Sequence, residues 1–222
     1  MGYPRGRSRA LSAWLGIAML SVAMGLSGCA AMYVDGNLPE TPKSEFRQPA
    51  RPPAVQFVFE FQTKGAPNQR ATDLLKARVK SQVQESGLFS SVSDTPAPGA
   101  GLLTLTLNNI ALTDSPAAKG FVAGLSFGLA GTTVADGYDA TLRYSPPTAG
   151  ATPLTHEAKH IIHTSIGTGT PPALAIKTSG GEEAVTLMLK QVLSRVLAAL
   201  SKDPAFPAGT ATITPAEAAK QL

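Results

Sequence analysis

From residue 55 to residue 62 apolar and polar side chains alternate. Val55, Phe57, Phe59 and Phe61 fall on one face, Gln56, Glu60 and Gln62 on the other, with Val58 the exception. A period of two is the mark of a half-buried strand. The period then changes. Over residues 68–86, Leu75, Val79 and Val83 recur every four positions, with Ala71 and Leu74 beside them, as on one face of a helix. Asp73 lies early in that stretch and Gly87 stands just past it, where a helix commonly stops. Leu88, Phe89 and Val92 lead the chain back towards a sheet. Residues 102–112 alternate again, Leu103, Leu105, Leu107 and Ala111 against Thr104, Thr106 and Asn108. So do residues 137–144, with Tyr138, Ala140, Leu142 and Tyr144 opposite Asp139, Thr141 and Arg143. Residues 153–166 predict a fourth strand, joined to the third by a Pro- and Gly-rich loop that suits a hairpin. The last long element is a helix over residues 182–201. Val185, Met188, Leu189, Val192, Val196 and Leu200 stripe it, with Glu182 and Glu183 at its positive end and Lys202 at its negative end. Thr214-Pro215-Ala216-Glu217 reads as a capping box with proline at the first helical position, hence a short helix in a loose tail.

These patterns predict an α+β fold: a mostly antiparallel sheet of about four strands with two main helices packed on one face, which buries every stripe named. The folded domain is expected over residues 55–202, followed by a loosely ordered tail over 203–222. Residues 30–54 carry Pro39, Pro42, Pro49, Pro52 and Pro53 and few large apolar side chains. They are expected to form a semi-rigid spacer, extended at ~3.1 Å per residue.

The N-terminus has a different character. Arg5, Arg7 and Arg9 precede an apolar run over residues 11–26, and the small residues Ser27 and Gly28 follow it, then Cys29. A positive flank, an apolar core and a small-residue exit make up a secretory signal, here residues 1–28. The run is short for a span of ~20 residues. Leu26-Ser27-Gly28-Cys29 resembles the lipobox of bacterial lipoproteins. The resemblance implies cleavage between Gly28 and Cys29, a diacylglyceryl group on the Cys29 sulfur and often a third acyl chain, such as palmitate, on its amino group. Two or three chains hold a protein on a membrane where one does so only marginally. Ala30, rather than an aspartate, follows the cysteine, which in the enterobacterial sorting pattern implies the outer membrane, with the domain facing the periplasm. The order of elements is also similar to that of several small envelope lipoproteins, including the lipopolysaccharide-assembly type; that likeness is of layout only.

Charge and cysteine content narrow the picture. The chain has 19 Lys and Arg against 15 Asp and Glu, but three of the arginines lie in residues 1–28, which contain no acid. Removing them leaves 16 against 15, so the basicity belongs to the export signal and no nucleic-acid surface remains. Cys29 is the one cysteine, so no disulfide framework can form within the chain.

Candidate chemistry is sparse. His156-Glu157-Ala158-Lys159-His160 spells H-E-x-x-H. On a helix its two imidazoles grip a zinc ion and the glutamate acts on the bound water, the basis of a zinc-dependent hydrolase. On a strand the imidazoles stand ~13 Å apart and cannot share an ion. Ile161, Ile162, Thr164, Ser165, Ile166 and Thr168 favour the strand. Glu182 or Glu183 would have to serve as third ligand, and both read as helix-start residues; His163 offers at most a weak surface site. Residues 120–131 space Gly120, Gly124 and Gly128 by four. As a helix they would show a glycine face for close packing, with Phe121, Leu125, Phe127 and Leu129 as candidates for contact with a membrane or partner. Burial in the core and a self-association face are the other readings. Asp136-Gly137-Tyr138-Asp139 lacks the ligand count of a calcium loop and reads as a turn into a strand. No phosphate-binding loop, dinucleotide fingerprint or nucleophile elbow is present. No catalytic residue, cofactor or metal is expected. The leading expectation is a non-enzymatic, lipid-anchored envelope protein that binds an envelope partner or assists assembly or transport. A zinc hydrolase, and a structural lipoprotein oligomerising through residues 120–131, are the alternatives.

Overall fold

The computed structural model describes residues 30–112, 133–165 and 170–207. Among them the chain forms β1 (Ala31–Val34), β2 (Ala54–Thr63), β3 (Ala66–Pro67), α1 (Gln69–Glu85), β4 (Ser91–Ser93), β5 (Gly101–Ala111), β6 (Thr133–Ser145), β7 (Leu154–Ser165), β8 (Ile176–Thr178) and α2 (Gly181–Lys202). The strands make one sheet in the order β3-β2-β5-β6-β7-β1-β8, with β4 also paired to β2.

The fold is α+β as expected, but the four-stranded, mostly antiparallel sheet is not what forms. The sheet has eight strands among the described residues and is mixed. β2 pairs in parallel with both β4 and β5, because α1 intervenes and carries the chain back to the starting end before β5 begins. The four strands that periodicity did not reveal, β1, β3, β4 and β8, are two to four residues long. Such pieces are too short to display a period and exist through their edge pairing.

The long strands pair so that Phe57, Leu103, Tyr144 and Leu154 lie in one row, and Phe59, Leu105, Leu142 and His156 in the next. This face carries both helices and the main core. Asn68 caps α1, its side-chain oxygen accepting from the Ala71 amide at 3.1 Å, and Leu75, Val79 and Val83 point inward as their spacing required. Leu74 does not join them; it is 78% exposed. α2 is buried on most of its circumference, from Ala184 to Ser201. It is the one described helix long and apolar enough to cross a membrane, and it spends that apolarity on the sheet. On the opposite face Leu112, Ala135 and Ile161 form a second, small buried cluster with Ile110 against it.

The Pro-rich segment is part of this unit and not a spacer. β1 is inserted between β7 and β8. The chain then crosses α2 as a strap, with Leu38 and Phe46 buried. The Thr41 amide donates to Ser194 Oγ at 2.9 Å and the Arg47 amide to Ser201 Oγ at 3.2 Å. The two serines lie seven residues apart, two turns along one face of the helix. The expected domain start at residue 55 therefore moves back to β1. The far boundary also moves, from residue 202 to at least 207. Phe206 is buried and meets Phe89 and Tyr144 edge to face, ring centroids 5.8 and 5.3 Å apart.

Candidate functional site

Several chain ends converge at one end of the sheet. Ala31 opens β1 opposite Ser165, which also pairs with Thr133 at the start of β6. The Leu112 amide donates to the Ala135 carbonyl at 2.9 Å, so residue 112 leaves and residue 133 returns beside each other there. Thr178 Oγ1 donates to the Met32 carbonyl at 3.1 Å, and α2 begins three residues later. There the Glu183 carboxylate accepts from the Ser179 amide and hydroxyl, both at 2.6 Å; these two donors hold its pKa below the usual value. Cys29 lies outside the described residues, as do Phe121, Leu125, Phe127, Leu129 and the three glycines among them, and the predicted short helix at 214–217.

The H-E-x-x-H residues lie on β7, as the flanking β-branched residues required. His156 and His160 share the helix-facing side, four positions apart along an extended chain; Glu157 points to the other. His156 Nε2 lies 3.0 Å from Asp203 Oδ2, just past the end of α2, and this pair fastens the strand to the helix terminus. His160 is fully buried, its Nδ1 accepting from the Ile161 amide at 2.9 Å. The arrangement a zinc hydrolase needs is not formed, and no group of three potential ligands occurs among the described residues. Glu182 and Glu183 are helix-start residues, as read. Asp136, Gly137, Tyr138 and Asp139 belong to the body of β6, which begins at Thr133, rather than to a turn.

Around His160 the core turns polar. Asp35 and His163 are buried close by, and the Gln191 side chain from α2 and the Leu38 backbone from the strap face the ring. Burial pushes the pKa of both imidazoles down, and the Asp35 charge opposes this only in part. Burial, then the charge of Asp136, pushes the Tyr138 phenol up. Burial likewise raises the carboxyl of Asp136 itself. Asp35 also anchors the turn after β1, its Oδ1 accepting from the Asn37 amide and side chain, both at 2.9 Å. This cluster brings together residues 156 positions apart, and nothing in the sequence pairs Asp35 or Gln191 with His160. The His160 ring, facing Gln191 of α2 and Leu38 of the strap, lies where the sheet edge, the helix and the strap meet.

No protein-family model matches the chain, and no curated protein does. Similar solved structures include rare lipoprotein B from Shewanella oneidensis, 14% identical, covering 66% of this chain and 93% of that one at a TM-score of 0.33. The PelC dodecamer from Paraburkholderia phytofirmans is 11% identical and covers 77% and 95% at 0.31. A minor lipoprotein from Acinetobacter baumannii is 11% identical and covers 68% and 91% at 0.29.

Proposed function

We propose that this chain is a non-enzymatic, lipid-anchored protein of the cell envelope. In this reading the precursor is cut between Gly28 and Cys29, Cys29 carries the lipid, and the domain faces the periplasm from the outer membrane. There it binds an envelope partner or assists assembly or transport. The observation that carries the reading is the run of Leu26-Ser27-Gly28-Cys29 directly into the sheet: a single residue, Ala30, separates Cys29 from β1. An anchor so close to a strand held on both sides keeps the domain against the bilayer surface with one end of the sheet down. Residues 113–132 are joined to that same end, and Phe121, Leu125, Phe127 and Leu129 are proposed to contact the membrane or the partner.

The test is metabolic labelling with a radioactive or clickable fatty acid in cells, read together with the N-terminal residue of the purified protein. Wild-type chain should begin at a blocked Cys29 and carry label in the envelope fraction. Cys29→Ser should remain a full-length precursor without label. Native protein beginning elsewhere, or leaving the envelope in high salt, would overturn the reading.

A further inference from the structure

The two helices leave a groove between them at their N-terminal ends. It measures about 400 Å³ and is lined by Leu74, Leu75, Arg78, Gly181, Glu182 and Val185. Leu74, placed by its spacing beside the apolar stripe of α1, stands open to solvent on its rim. It is four residues after Arg70 and four before Arg78, so α1 presents an apolar side chain between two guanidinium groups on one stripe. Arg78 reaches across the groove to Thr186 Oγ1 at 2.8 Å and to Glu182 Oε1 at 3.1 Å, which offsets the acid there. The other rim abuts β1: a Cβ added to Gly181 would stand 3.5 Å from Met32 Sδ. Met32, which stands beside that rim, follows Cys29 by three residues, about 10 Å of extended chain.

We propose that this groove is a second membrane contact, in which Leu74 enters the bilayer interface and Arg70, one turn before it, meets phosphates of the membrane's own glycerophospholipids, while Arg78 neutralises Glu182 on the rim. The proposal rests on the anchoring of Cys29 proposed above. Arginine stems lie along apolar surface while their heads stay among polar groups, and helices that lie in the interface use this arrangement. One leucine is a weak anchor alone. A lipid attached three residues before Met32 holds this end of the domain at the surface at high effective concentration, so a weak contact suffices to set orientation.

The mature chain contains no tryptophan, since Trp14 precedes Cys29, and Cys29 is its one thiol. Both facts make a direct test possible. The chain from Cys29 onward is coupled through that thiol to a maleimide phospholipid in vesicles of phosphatidylethanolamine and phosphatidylglycerol. Leu74→Trp is compared with Ala149→Trp, an exposed position in the β6–β7 connection at the far end of the sheet. Trp fluorescence at position 74 should shift to the blue on coupling and be quenched by brominated phospholipids, and fluorescence at position 149 should do neither. Adding Arg70→Ala to Leu74→Trp should reduce the quenching. No quenching at 74, or equal quenching at both positions, overturns the proposal. A blue shift on coupling without quenching by the bilayer lipids also overturns it, since the coupled lipid's own chain would then fill the groove. Because the lipid is supplied chemically, the result stands apart from whether cells lipidate Cys29, which fatty-acid labelling decides. Leu74 is exposed, so a near-native circular dichroism spectrum is expected for each variant.

Discussion

The Ser194 hydroxyl on α2 accepts the Thr41 amide of the strap at 2.9 Å while donating to the Gln191 carbonyl one turn back, also at 2.9 Å. Ser201 repeats the device, with the Arg47 amide at 3.2 Å and the Ala198 carbonyl at 2.7 Å. A hydroxyl used both ways satisfies a strap amide without a strand partner. Removing it leaves that amide short of an acceptor in a partly buried place. Ser194→Ala and Ser201→Ala should each cost about 1–2 kcal/mol in urea unfolding. The two sites are separated by about 10 Å of helix, so their costs should nearly add in the double variant.

Burial holds His160 and His163 below their ordinary pKa, which makes stability depend on pH with a definite sign. Between the folded and unfolded values the unfolded chain binds more protons, so stability rises with pH. It is complete above the unfolded histidine value of about 6.5 and falls as pH drops through that value towards the folded one. Each histidine contributes a slope of at most about 1.4 kcal/mol per pH unit in this window. The raised carboxyls of Asp136 and Asp139 act in the opposite sense, in the lower range where acids titrate. Denaturant titrations at about pH 7.5 and pH 5.5 should show the loss. His160→Gln should reduce it, leaving the part that His163 contributes, whatever it does to stability at the higher pH.

Gly36 follows β1 where the backbone of the segment before β8 approaches. A Cβ there would stand 1.9 Å from the Leu174 carbonyl oxygen, closer than any real contact. Gly36→Ala must push β8 and its approach away from β1. A cost of about 1–3 kcal/mol is expected, with faster hydrogen exchange concentrated in residues 31–34 and 176–178. An equal substitution at Gly150, where nothing stands within 4 Å but φ is +78°, should instead cost about 1 kcal/mol through backbone conformation alone.

Phe206 fastens the chain beyond α2 by packing on Phe89 and Tyr144. Phe206→Ala should destabilise by about 3–5 kcal/mol, read as a lowered thermal midpoint. A surface change nearby, such as Lys202→Ala, removes only an exposed ion pair with Glu45 at 3.6 Å and should cost less than about 1 kcal/mol.

The sequence by itself determined the elements long enough to carry a period. β2, β5, β6, β7, α1 and α2 all lie where alternation or four-residue recurrence predicted, because burying one face of a regular element requires that repeat. It also determined that the H-E-x-x-H residues lie on a strand, since Ile161, Ile162 and Thr164 favour an extended chain. Only the tertiary structure decided how the strands pair and what the short ones do. The parallel β2–β5 pair depends on where α1 delivers the chain, and β1 and β8 exist because β7 offers an edge. The strap escaped sequence reading because its stabilising groups are mostly elsewhere: two serines on α2 supply what the Pro-rich segment lacks. Leu74 escaped it for the converse reason. Helical spacing places a residue near a stripe, and only the neighbouring element decides how wide a stripe is covered.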